Sequence, residues 1–237
     1  MARTCTVWPI IALLALGCKS AGGSEPSSVS AHSAVPAKAD APAAAPTPAA
    51  TPAAQPESAA IGKPAPDFTL PDLDGNTVQL SSFRGKTVVL EWFNPGCPFV
   101  QASHTKGSLK GTGDRYTKEG VVWLAINSGA AGKQGSGREN SLAGKQRFGF
   151  SYPVLLDESG TVGKLYGAER TPHMYVIDPN GVLVYRGAID NSPDGEGESP
   201  TSGTLVRYVE EALAAVKEKR AVATAETKAY GCTVKYQ

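Results

Sequence analysis

Apolar and polar positions beyond residue 61 alternate between strand and helix periods. The nearly continuous apolar runs at residues 87–92 and 121–126 predict two strands that are covered on both faces of a sheet. Between residues 204 and 220, apolar side chains at three- and four-residue spacing predict an amphipathic helix. Strands that alternate with helices indicate an α/β domain with parallel crossover connections.

Short strands are also predicted in pairs at each end of this series. Turn residues separate residues 68–70 from 77–80 and residues 174–178 from 182–189, which is the pattern of β-hairpins. A hairpin adds antiparallel strands to the parallel core. The expected architecture is therefore an α/β fold with a mixed central sheet, flanking helices and an N-terminal β-hairpin. Further helices are predicted from residue 98 to about 118, from 137 to 148, and within 157–167.

Composition divides the chain into four parts. Residues 1–18 have the pattern of a signal peptide, and their apolar run is too short to span a bilayer. Residues 19–60, dominated by Ala, Pro and Ser, predict a disordered tether because they have too few apolar side chains to form a core. We expect a globular domain at residues 61–220 and a C-terminal tail at residues 221–237.

Charge and cysteine content exclude several classes of function. The 23 basic and 22 acidic residues give a net charge of +1 without a basic run, so nucleic acid is not an expected partner. The four cysteines are Cys5, Cys18, Cys97 and Cys232, and they do not have the spacing of a zinc site. No cofactor is expected, and each cysteine is expected to have its own redox or anchoring role.

The segment that ends at Cys18 resembles a bacterial lipobox, Leu14-Ala15-Leu16-Gly17-Cys18. The resemblance implies that Cys18 is acylated and that the protein is lipid-anchored in the bacterial cell envelope, facing the periplasm. Ala15 and Leu16 depart from the usual lipobox residues. Cleavage by an ordinary signal peptidase near Ala21 therefore remains the alternative.

Cys97 is the candidate reactive thiol. It directly follows a predicted buried strand, and Pro98 is well placed for the first turn of a helix. A helix N-terminus stabilises a thiolate, which is the nucleophilic form of cysteine. Since loops at strand ends present side chains to solvent, we expect Cys97 to be exposed and reactive. The alternative is a buried structural cysteine.

Several motifs in order along residues 61–237 resemble the redoxin family, and in particular its peroxiredoxin-like exported members. The resemblance implies a thioredoxin-like fold and a thiol-dependent oxidoreductase with Cys97 as nucleophile. The motifs are Pro64-Ala65-Pro66-Asp67-Phe68, Glu91-Trp92-Phe93-Asn94-Pro95-Gly96-Cys97-Pro98, Thr171-Pro172-His173-Met174 and Tyr230-Gly231-Cys232-Thr233-Val234-Lys235-Tyr236.

Three positions depart from the family's patterns. Thioredoxins have a second cysteine where Val100 stands, and peroxiredoxins have Thr or Ser where Asn94 stands. Peroxiredoxins also have an arginine at the position of Pro172. The Thr171-Pro172 pair instead resembles the cis-proline of thioredoxins, which lies beside the active thiol and helps to dock the substrate backbone.

Three further side chains are candidates near the thiol. Thioredoxins keep a buried carboxylate at the offset of Glu91, so Glu91 is expected to be buried and to act as general acid or base; a solvated edge position is the alternative. His173 is a candidate thiolate neighbour and a weak candidate ligand for a soft metal. His104 lies two helical turns, about 10 Å, from Cys97 and is expected at the surface.

Cys232 is the candidate resolving thiol. If the tail folds back, Cys232 would resolve a sulfenic acid or mixed disulfide at Cys97. A bridge to another protomer and a free thiol are the alternatives.

Four functions remain open from the sequence. The first is thiol-disulfide exchange with protein disulfides and a thiol reductant. The second is peroxidase activity on hydroperoxides, with Arg170 in place of the missing arginine. The third is soft-metal (copper) delivery, and the fourth is a redox-inactive binding domain.

Overall fold

The computed structural model describes residues 57–237. The strands are β1 (Thr69–Pro71), β2 (Thr77–Gln79), β3 (Val88–Trp92), β4 (Val122–Asn127), β5 (Val154–Leu156), β6 (Arg170–Thr171), β7 (His173–Ile177), β8 (Leu183–Gly187) and β9 (Cys232–Thr233). The α-helices are α1 (Pro98–Thr105), α2 (Thr112–Lys118), α3 (Gly137–Phe148), α4 (Thr161–Tyr166) and α5 (Tyr208–Lys217), and a 3-10 helix spans Leu80–Phe83.

Five strands form a mixed central sheet in the order β5-β4-β3-β7-β8. Strand β3 is parallel to β4, and β4 is parallel to β5. Strand β7 is antiparallel to both β3 and β8. This arrangement confirms the predicted α/β thioredoxin-like fold with its N-terminal hairpin, which is formed by β1 and β2.

Strand β3 separates two apolar clusters because its side chains alternate between the faces of the sheet. Val89 and Phe93 join the cluster that contains residues of α1 and α5. Leu90 and Trp92 join the cluster that contains residues of α4 and of the N-terminal segment. By the same alternation, Glu91 lies on the face of Val89 and Phe93, the face to which Cys97 also belongs.

The short strand β5 was not predicted, and two predicted helices differ from the structure. Strand β5 was missed because three residues are too few to show a period. The single helix expected from residue 98 to 118 is two helices: the chain adopts a left-handed conformation at Gly111, and Gly107 packs directly on the carbonyl of Gly195. The last helix is Tyr208–Lys217, shorter than the predicted 204–220.

The C-terminal segment is bound to the domain by backbone hydrogen bonds. Arg186 of β8 donates its N–H to Ala225 O and accepts from Thr227 N–H, at N···O distances of 3.0 and 3.1 Å. The chain then crosses to β6, where β9 pairs antiparallel and places Cys232 opposite Thr171. The tail therefore brings Cys232 to the end of the sheet at which β3 is followed by Cys97.

Ordered packing begins slightly before the expected boundary at residue 61. Ala59 is buried and donates its N–H to Leu165 O at 3.1 Å. None of the helices in the described part of the chain is long and apolar enough to cross a membrane. The predicted signal peptide, Cys18 and the tether up to residue 56 lie outside the described residues.

Gly144 lets α3 approach the loop that precedes Cys97. A Cβ at this position would lie 2.5 Å from Pro95 Cβ and 3.0 Å from the Phe93 ring. Gly144→Ala is therefore expected to lower the free energy of unfolding by about 1–3 kcal/mol through overpacking, despite the better helix propensity of Ala. Urea unfolding measures this loss. Gln146→Ala, at an exposed position of the same helix, is the control; equal stability of the two variants would contradict the close approach.

Candidate active site around Cys97

The loop between β3 and α1 is shaped by the side chain of Asn94. Its Oδ1 accepts from Gly96 N–H at 2.8 Å, and its Nδ2 donates to Gln134 O at 3.0 Å. Gln134 returns a hydrogen bond from Nε2 to Gly96 O at 3.0 Å. Asn94 is buried, and its amide oxygen and nitrogen are both engaged in holding the loop.

Cys97 is the residue directly before the first turn of α1, with extended backbone angles and Pro98 following. Its Sγ lies 3.0 Å from Thr171 O and 2.7 Å from Cys232 Sγ, and both cysteines are free thiols. The prediction that Cys97 is exposed was wrong. Its exposed fraction is 0% because the C-terminal segment covers it, and no local pattern in the sequence shows that cover.

The two thiols occupy different electrostatic environments. Cys97 stands at the N-terminus of α1, where the helix dipole and free N–H groups stabilise a thiolate. Cys232 is half-buried in the tail; burial first, and then the adjoining Cys97 sulfur, raise the pKa of its thiol to about 11. The environment of Cys232 therefore favours its protonated form. Val100, at the position of a second local cysteine, packs in the core.

Glu91 is fully buried, as predicted, and its carboxylate has polar partners. Oε1 lies 2.7 Å from His104 Nε2, and Oε2 accepts from Trp123 Nε1 at 3.0 Å. Tyr152 Oη lies 3.5 Å from the same Oε2. Burial, and then the Glu91 charge, raise the pKa of Tyr152 well above its usual value, so this hydroxyl keeps its proton.

The expected surface position of His104 was wrong, and this residue is the one that sequence reasoning missed. His104 is buried and stacks on Phe148 with ring centroids 5.1 Å apart. A signal was present, because Cys97, Val100 and His104 follow the three- and four-residue spacing of one helix face. The identity of its partner could not be read from the sequence, since Glu91 and Phe148 come from separate elements.

His173 is neutral at pH 7 and has partners other than Cys97. Burial first, and then the charge of Arg186, lower its pKa to about 4. Its Nδ1 lies 3.4 Å from Glu169 N and 3.4 Å from Tyr175 Oη. Residues 57–237 contain no group of three or more His, Cys, Asp or Glu side chains placed to hold a metal ion.

Thr171 lies directly against the sulfur pair, and Pro172 follows it. The peptide bond between them is cis, as the resemblance implied. Thr171 O contacts the Cys97 sulfur, and the backbone of Thr171 pairs with that of Cys232. Among the described residues, Thr171 Oγ1 is the one buried side-chain nitrogen or oxygen without a hydrogen-bond partner. The carbonyl oxygen of the same residue is the atom that contacts Cys97 Sγ.

His104→Ala is expected to lower the free energy of unfolding by about 3–5 kcal/mol, since it leaves a buried carboxylate without its nearest partner. Chemical unfolding with Glu91→Gln and the double variant completes a thermodynamic cycle. In the Glu91→Gln background, where the side chain at position 91 carries no charge, the loss should be smaller. A loss of the same size in both backgrounds would contradict the pairing.

Comparisons with known proteins agree with this geometry. The Redoxin family model matches residues 60–204, a span that contains Cys97 and ends before Cys232. The thiol-disulfide oxidoreductase ResA of Geobacillus thermodenitrificans is 33% identical over 123 residues, 52% of this chain and 66% of its own length. Peroxiredoxin Q of Suaeda salsa is 34% identical over 137 residues, 52% of this chain and 58% of its own length. The chain thus spans less than two thirds of the length of these two relatives.

Two solved structures share the whole domain. A hypothetical protein from Sinorhizobium meliloti 1021 has a TM-score of 0.65 and 30% identity, and the match covers 77% of this chain and 98% of that one. An uncharacterized conserved protein from Geobacillus kaustophilus has a TM-score of 0.65 and 32% identity, with coverage of 79% and 97%. On the family match, the fold and these relatives, the chain belongs to the Redoxin family.

Proposed function

We propose that this protein is a thiol-disulfide oxidoreductase that uses Cys97 and Cys232 as its redox pair. The observation that carries the proposal is the 2.7 Å distance between two sulfur atoms that are 135 residues apart in the chain. The similarity to proteins named thiol-disulfide oxidoreductase ResA supports the same reaction class. Cys232 would take the role that a local second cysteine has in thioredoxins.

The exchange proceeds in two displacement steps. The Cys97 thiolate attacks one sulfur of the substrate disulfide; a Cys97–substrate disulfide forms, and the other substrate sulfur leaves as a thiolate and takes up a proton. The Cys232 thiol then loses its proton and attacks Cys97 Sγ. The Cys97–Cys232 disulfide forms and the second substrate thiolate departs. The protein has lost two electrons, and a thiol reductant returns them by the reverse exchange.

Glu91 is the proposed acid and base for this cycle. It lies on the same sheet face as Cys97, and a buried carboxyl group is suited to holding a proton between steps. His104 Nε2 lies 2.7 Å from its Oε1 and is the nearest polar partner of the carboxyl group. Neither sulfur atom is hydrogen-bonded to the Glu91 carboxylate. A proton that passes from a thiol to this carboxylate therefore needs a bridging group. Thr171 and Pro172 are the proposed docking residues for the substrate.

Peroxidase activity is the second candidate, favoured by the similarity to peroxiredoxin Q. Two features of the site oppose it. The side-chain amide of Asn94, at the position where peroxiredoxins have Thr or Ser, is engaged within the loop. Pro172 occupies the position of their arginine. No observation favours metal delivery.

The proposed location is the cell envelope, with the protein held by a lipid on Cys18. The lipobox-like segment supports this proposal. Labelling with a radioactive fatty acid in bacterial cells tests it: loss of label in Cys18→Ala supports acylation, and retention of label refutes acylation at this residue.

Cys232→Ser is expected to accumulate a mixed disulfide at Cys97 when the reduced protein meets a substrate disulfide, because the resolving attack is removed. Cys97→Ser should form no such adduct and should lose essentially all turnover. Mass spectrometry of acid-quenched samples identifies the bonded residue. An adduct on Cys232 in the Cys97→Ser variant, at the rate of the unmodified protein, would contradict the assigned roles.

Hydrogen peroxide is expected to oxidise Cys97 no faster than an ordinary free thiol, because the loop amide is committed and the family's arginine is absent. Stopped-flow measurement of peroxide loss, at one equivalent per fully reduced protein, provides the rate. A model thiol of known thiolate fraction is the reference. Rapid loss of peroxide with formation of a Cys97–Cys232 disulfide would instead establish the peroxidase.

A further inference from the structure

We propose that the C-terminal segment from Ala225 to Tyr236, here called the strap, selects the substrate by occupying the edge of β6 beside Cys97. With the strap docked, the site serves low-molecular-weight disulfides and excludes disulfides of folded proteins. Release of the strap opens the site to them. The inference rests on the proposed disulfide exchange and adds the substrate class.

The edge of β6 is already filled by a strand. Cys232 lies opposite Thr171, and Thr233 lies opposite Arg170. Val234 extends the pairing by donating its N–H to Glu169 O at 3.1 Å. A peptide that binds by adding a strand needs such an edge for its main-chain hydrogen bonds. The strap therefore stands where an extended substrate segment next to Cys97 would bind.

The strap also closes the direct path to the sulfur. Cys97 is completely buried, whereas Cys232 is half-buried. A small disulfide needs only a displacement around the Cys232 side chain to reach Cys97 Sγ. A disulfide within a folded protein brings its own backbone, so β9 must separate from β6 before the sulfur atoms can meet. The free energy needed to release the strap therefore slows the reaction of protein disulfides and not that of small disulfides.

One anchor of the strap lies after Cys232, at Tyr236. Its Oη donates to Ala168 O at 2.7 Å. Its ring fills a slot above Gly160 and Gly163; a Cβ on Gly160 would lie 2.6 Å from the ring, and a Cβ on Gly163 would overlap the hydroxyl. Ala130 N–H also donates to Lys235 O at 2.9 Å. These contacts do not involve the sulfur atoms.

A second anchor lies before Cys232, at Tyr230. Its Oη donates to Asp190 Oδ1 at 2.7 Å, and its ring packs near Phe99 of α1 at a centroid distance of 6.4 Å. Gly231 follows with φ +111, and a Cβ there would overlap Thr171 O. The anchors on both sides are present while both cysteines are free thiols, so docking of the strap does not depend on a disulfide.

The test uses the full chain in the Cys232→Ser background, so that only the first displacement is measured. Mixed-disulfide formation at Cys97 is followed with oxidised glutathione as the small substrate and insulin as the protein substrate. Tyr236→Ala releases the later anchor. Tyr236→Phe keeps the ring in its slot and is the matched control. Hydrogen exchange of Val234 N–H reports the release directly.

Tyr236→Ala is expected to raise the insulin rate by about tenfold, the factor that corresponds to about 1.4 kcal/mol of lost docking free energy, with little change for glutathione. Tyr230→Phe is a milder second variant, since Asp190 Oδ1 still accepts from Ser192 N–H. It should also raise the ratio of the insulin rate to the glutathione rate.

Two results would overturn the inference. One is faster hydrogen exchange at Val234 without any gain in the insulin rate. The other is an equal gain for insulin and glutathione. If the Cys232→Ser protein forms an adduct with neither substrate, the proposed disulfide exchange itself fails, and the inference fails with it.

Discussion

The backbone pairing of β9 with β6 is the interaction on which the active site depends. It places Cys232 opposite Thr171, whose carbonyl oxygen contacts the Cys97 sulfur. Without this two-residue ladder, Cys97 would be a single thiol at a helix N-terminus with Val100 in place of a local partner. In the proposed disulfide exchange, the C-terminal segment therefore supplies the second sulfur of the redox pair, and it also covers the first.

The two sulfur atoms of that pair lie in different surroundings. Cys97 is the residue directly before α1, while burial and the neighbouring sulfur raise the pKa of Cys232. Beneath them, Glu91 and His104 form a buried polar pair in an otherwise apolar face of the sheet. Removing His104 leaves Glu91 Oε1 without its nearest partner, although Trp123 still donates to Oε2.

Much of this arrangement was predictable from the sequence, because it depends on local patterns. The continuous apolar run of β3 predicted a buried central strand, and Glu91 within that run was correctly expected to be buried. Contacts between distant segments were not predictable. The partner of His104 lies on another element. The cover over Cys97 comes from a tail whose position is set by hydrogen bonds to β6 and β8. The burial of both residues was therefore not predicted.

The central claim is that Cys97 and Cys232 form one two-electron couple within a single chain. A redox titration of the full chain in buffers of reduced and oxidised dithiothreitol, with alkylation and peptide mass spectrometry of the two cysteines, tests it most directly. The account predicts that both thiols disappear together along one curve, with about 30 mV per tenfold change in the ratio of oxidised to reduced protein, to give an intramolecular disulfide. Independent oxidation of the two residues, or a disulfide between chains, would contradict it.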